Sequence, residues 1–99
     1  MPKLHCKRVS FYSENDELSF FEWIGKIPSI EKWEGVSDTI VLHVRSKKIS
    51  NAGLRDILAL FHRYKINMTE LKQFMDEKNK DWFFENEKAY WHKNVFKQT

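Results

Sequence analysis

Side chains able to bind metal, move protons or attack a substrate are scattered along the sequence rather than grouped. Histidines stand at positions 5, 43, 62 and 92 with no His-x-x-x-His pair, and the single cysteine, Cys6, cannot build a thiolate cage. No metal site is expected. Cys6 has His5, Lys7 and Arg8 as neighbours, yet on a strand successive residues alternate between faces, so a structural thiol is the expectation. Adjacent carboxylates such as Asp76 and Glu77 fall consecutively on an expected helix and point apart. With no cofactor signature either, neither a cofactor nor catalysis is expected.

A sharper signal lies in RSKKISNAGLR, residues 45 to 55, where Arg45, Lys47 and Lys48 crowd the expected start of a helix. Cations there oppose the helix dipole, whereas free first-turn amides suit an anion. Ser50, Asn51 and a Gly53 that allows close approach complete a candidate anion site. Two solvated lysines in a loop are the plainer reading, because no glycine-rich phosphate pattern accompanies them.

These groups need elements to position them. At 99 residues the chain fits one domain, residues 1 to 99, and 41% hydrophobic residues suffice for a core. Three glycines and two prolines argue against disorder or a turn-rich all-β chain. One cysteine, a start without an apolar leader and no long apolar run point to a cytoplasmic setting without a membrane partner. The net charge of +3 is unevenly laid out, with −4 over residues 13 to 35 and +4 over residues 36 to 66. Such an excess is compatible with nucleic acid without demanding it.

LHCKRVSFY, residues 4 to 12, reads as a strand whose apolar parity switches, implying a bulge or a late start. Ser13 caps a helix whose broad face is Phe20, Phe21, Trp23, Ile24 and Ile27, stopped by Pro28. IEKWE and DTIVLHVR read as a hairpin turning at Gly35 to Asp38, with Ile40, Leu42 and Val44 on one face of the second strand. Ser50 caps the next helix, with Ile49 and Leu54 as a hydrophobic staple and Leu54, Ile57, Leu58, Phe61 and Tyr64 as its stripe. Asn67 is expected to cap a further helix with the face Met68, Leu71, Phe74 and Met75.

Six of the fifteen aromatic residues fall in DWFFENEKAYWHKNVF, residues 81 to 96. On one unbroken helix, Trp82 and Phe96, Phe83 and Tyr90, and Phe84 and Trp91 would lie on three seams about 100° apart. Apolar groups would then ring the helix. A break near Glu85 to Glu87 is therefore expected, or insertion into a partner subunit. Trp82, Phe83, Phe84, Tyr90, Trp91 and Phe96 are expected to seal a core or an interface.

NAGLRDILALFHRYKINMTEL resembles the first helix and following strand of ACT domains, small βαββαβ modules that bind amino acids at a glycine-bearing loop. LALFHRYKINMTELKQF is also similar to a helix-turn-helix, though Phe61 and Lys65 stand where a small residue and a glycine are usual. As a whole the chain resembles a family of small uncharacterised bacterial proteins sharing the stretch from LRDILALF through WF and YW. That resemblance implies a bacterial cytosolic origin and no activity. The expected fold is α+β, a small antiparallel sheet in β-α-β-β-α order covered by helices, with an aromatic helical tail. The expected function is a non-catalytic binding or protein-interaction module that self-associates into a homo-oligomer. Nucleic-acid or anion binding through residues 45 to 55 comes second, and ACT-like amino-acid sensing third.

Overall fold

The computed structural model describes residues 2–96. In chain order they form β1 (Lys3–Lys7), α1 (Glu14–Gly25), β2 (Ile30–Val36), β3 (Thr39–Val44) and α2 (Asn51–Arg63). A 3-10 helix at Thr69–Phe74 and two short helices, α3 (Lys80–Phe83) and α4 (His92–Phe96), complete the chain. The small α+β fold expected from the element order is what forms. The sheet is antiparallel in the order β1-β3-β2, so β1 and β2 run parallel at opposite edges and α1 makes the crossover of a split β-α-β unit. Leu4, Cys6, Leu42 and Val44 turn one sheet face into a core shared with Phe20 and Ile24 of α1 and Leu54, Ile57, Leu58 and Phe61 of α2.

Local chemistry explains the helix ends. The Ser13 hydroxyl accepts from Asp16 N–H at 3.1 Å while the Asp16 carboxylate accepts from Tyr12 N–H at 3.0 Å, a reciprocal cap that starts α1. Ser50 Oγ accepts from Gly53 N–H at 3.0 Å and starts α2. At the far end of α2, Lys65 N–H donates to His62 O and Ile66 N–H to Phe61 O, with Lys65 at φ 58°. This is a Schellman stop carried by a lysine, and the buried side chains of Ile66 and Phe61 lie at its two ends. A left-handed lysine is strained. Lys65→Gly should therefore stabilise the fold by about 1 kcal/mol, read as a raised midpoint in chemical denaturation.

Four expectations need correction. β1 ends at Lys7 because Arg8 takes φ 53°, and this left-handed residue, rather than a bulge, resets the parity so that Val9 and Phe11 still reach the core. The hairpin turns on Ser37 and Asp38 alone, with Ser37 at φ 58°, while Gly35 pairs with Ile40 inside the ladder. α1 stops at Gly25, ahead of Pro28, and Ile27 enters the core from beyond the helix. The segment after Asn67 is a 3-10 helix rather than an α-helix. Met68, Leu71 and Phe74 are all buried and three residues apart, the period of a 3-10 helix, whereas Met75 is exposed. The Asn67 side chain accepts from the Thr69 N–H and hydroxyl, tightening that corner.

Both resemblances change accordingly. The stretch compared with the first ACT helix is the second helix of the chain, and it leads into the 3-10 helix where that family has a strand. For the helix-turn-helix comparison, six residues of 3-10 helix occupy the place of the recognition helix.

The tail breaks as its aromatic seams require. α3 ends at Phe83 and α4 begins at His92, with turns between. Each half buries its own face, Phe83 from α3 and Val95 from α4, with Trp91 just ahead of α4. Trp91 Nε1–H donates to Phe83 O at 3.0 Å and His92 Nε2 lies 2.7 Å from Phe84 O, tying the halves together. The tail closes over the helical corner. It meets the 3-10 helix through α4, and α2 through Arg55 stacked 4.1 Å over the Trp82 ring and His62 against Tyr90.

Candidate functional site

The groups singled out for chemistry remain apart in the fold. Among the described residues no three of His, Cys, Asp and Glu are placed to share a metal ion. Cys6 is buried, and that burial, with Glu70 nearby, pushes its thiol up to about 12, which suppresses the thiolate a nucleophile needs. Glu70 also accepts from His5 Nδ1 at 2.9 Å, and Glu34 lies 3.1 Å from His43 Nε2 on the sheet face opposite the core. His62 packs on Tyr90, and His92 is buried against Phe84 O.

The 45 to 53 loop is only partly assembled for an anion. Arg45 turns away, donating to Pro28 O at 2.9 Å and reaching Glu31 at 3.5 Å. The Gly53 N–H is taken by Ser50. The close approach that Gly53 permits is to Ser50 and Ser29, whose hydroxyls would sit 3.1 and 3.2 Å from a Cβ at that position. Lys47, Lys48 and Asn51 stay exposed. A cleft of about 550 Å³ lies beside them, lined by Lys48, Asn51 and Lys78 but also by Asp76 and Glu77. Its charges cancel.

The tail aromatics divide. Phe83 and Trp91 are core, Trp82 and Phe96 pack half-buried against it, and Phe84 and Tyr90 are exposed. The six therefore offer no continuous platform for stacking.

The two edges of the sheet are covered to different degrees. Val44 N–H donates to Pro2 O and Arg8 N–H to Asp38 O, so the even-numbered residues of β1 bond β3 and His5 points its amide outward. That amide is covered. Glu70 Oε1, from the 3-10 helix, accepts it at 2.7 Å. The same parity makes Thr39, Val41 and His43 bond β2, with Val36, Glu34 and Lys32 as their partners. Trp33 and Gly35 accordingly aim their N–H and C=O groups away from the sheet, and among the described residues nothing bonds them.

From Glu31 to Val36 every residue of β2 is exposed. Trp33 is 42% exposed, lying on the helix side with its ring stacked 5.8 Å from that of Phe21. Leu18, one turn before Phe21 on α1, is exposed as well. An extended segment laid along β2 would meet free backbone groups flanked by an apolar wall on one side and by Lys32 and Glu34 on the other. No such edge can be read from IEKWEGV alone. A tryptophan among charges stands there, but neither its exposure nor the strand order can be seen.

No protein-family model, curated protein or solved structure matches the chain. Among the described residues no helix is long and apolar enough to cross a membrane.

Proposed function

We propose that the protein is a non-catalytic interaction module that takes up an extended segment by strand addition at β2. The observation that carries this is the asymmetry of the two sheet edges. At one, the central amide, that of His5, is capped by a carboxylate from the 3-10 helix packed beside it, while the other leaves the backbone groups of Trp33 and Gly35 unpaired beside an exposed indole. Exposed strand edges template pairing, and proteins commonly blunt those that are not used. The basic loop is the weaker candidate, because Arg45 and the Gly53 amide are already engaged and carboxylates share the cleft.

Amide spectra test the reading. A blocked peptide of sequence IEKWEGV, titrated into labelled protein, should shift the Trp33 and Gly35 amides and the Trp33 indole N–H, and slow their hydrogen exchange. A scrambled peptide should do so less. Shifts confined to residues 45 to 53, or appearing there on addition of inorganic phosphate with β2 unmoved, would transfer the site to the basic loop.

A further inference from the structure

Charge along the open edge favours one occupant. We infer that the segment added at β2 is β2 of a second copy, paired antiparallel about a two-fold axis at Trp33; this rests on the strand-addition reading above. With Trp33 opposite its own counterpart, the outward N–H and C=O of each Trp33 face those of the other, as a hydrogen-bonded antiparallel pair requires. Lys32 then stands opposite Glu34 of the second copy, and Glu34 opposite its Lys32. Both fall in the non-hydrogen-bonded position, where side chains come closest.

The neighbouring registers fail on charge. A slip of two residues in one direction sets Lys32 against Lys32, and in the other Glu34 against Glu34. Like charges directly opposite are unfavourable, so the register centred on Trp33 is favoured over both two-residue slips. The pairing is isologous, as closed dimers are, and joins two three-stranded sheets into one of six strands in the order β1-β3-β2-β2-β3-β1. On the helix side the two Trp33 rings meet, each backed by Phe21, and on the other side lie two Lys32–Glu34 pairs.

Sedimentation equilibrium of the full chain in low salt tests the register, since added salt screens such pairs. The parent should be dimeric. Lys32→Glu and Glu34→Lys each turn two attractive pairs into two repulsive ones and should weaken association roughly tenfold or more, while the double reversal should recover most of that loss. Both positions are exposed, and because Glu34 also meets the buried His43, circular dichroism checks that each variant keeps the parent fold. Single reversals without effect, or a double variant no tighter than the singles, overturn the register. A parent that stays monomeric at NMR concentrations yet still takes up the peptide at Trp33 and Gly35 overturns the dimer and leaves strand addition standing. A parent that dimerises with those amides freely exchanging overturns both.

Discussion

Trp91→Ala and Phe83→Ala should each lower stability by about 3–5 kcal/mol, a large part of what a domain of this size possesses. Phe83 is fully buried and Trp91 is 6% exposed, and the two are joined by the indole N–H of Trp91 on Phe83 O. Truncating either opens a cavity where α3, α4 and the 3-10 helix meet. Truncating Trp91 also leaves a buried carbonyl unpaired. Tyr90→Ala, by contrast, removes a ring that is 47% exposed and should change stability little. Trp82 stands between them, with an indole N–H that is buried and lacks a partner. Trp82→Phe removes that orphaned donor along with some packing area, so its loss should be far smaller than that of Trp91→Ala. Chemical denaturation of the four variants checks the order. If Trp91→Ala proves as mild as Tyr90→Ala, the tail does not seal the core and its rings are free for another use.

The elements legible in the sequence are those whose causes are local. Ser13 with Asp16 and Ser50 with Ile49 and Leu54 are short-range signals, and both helices start where these place them. The tail is legible for a different reason, since three apolar seams on one helix cannot all be buried. Arg8 and Lys65 are opaque. Each adopts a left-handed conformation that no local preference announces in a non-glycine residue, and each redirects the chain. The three-residue spacing of Met68, Leu71 and Phe74 is present in the sequence but is equally part of an α-helical stripe, and Met75 tips the reading the wrong way. The open edge is a property of strand order. Which strand lies central depends on the crossover through α1, and whether an edge is covered depends on Glu70, 65 residues from His5 in sequence.

Asn79→Ala should cost about 2–4 kcal/mol, although nothing in its sequence setting marks it out. The residue is 1% exposed, a burial that an amide tolerates only when its hydrogen bonds are made. They are made to backbone. Its Oδ1 accepts from Asp76 N–H at 2.8 Å and its Nδ2 donates to Phe74 O at 2.8 Å, so one side chain satisfies the chain on both sides of Met75. Asp76 answers by accepting from the Asn79 N–H at 3.1 Å, and Asn79 O in turn takes the Phe83 N–H at 2.7 Å. The end of the 3-10 helix is thereby locked to the start of α3, which sets where Phe83 enters the core. Alanine leaves a half-buried amide and a buried carbonyl unpaired, the carbonyl costing about 1–3 kcal/mol and the amide less, and releases the tail from the corner it closes. Asn79→Asp keeps the acceptor and loses the donor while adding a buried negative charge, so it should be at least as damaging at neutral pH and recover partly as falling pH protonates the carboxyl. Near-ultraviolet circular dichroism reports on the packing of all four tryptophans, Trp82 and Trp91 of the tail among them. The expected result is a weakened tryptophan signal and an early unfolding midpoint in both variants, with the Trp33 and Gly35 amides unshifted in whatever fraction remains folded. An alanine variant with the parent midpoint and an unchanged tryptophan signal would mean that the tail is held by its aromatic packing alone, without the asparagine clasp.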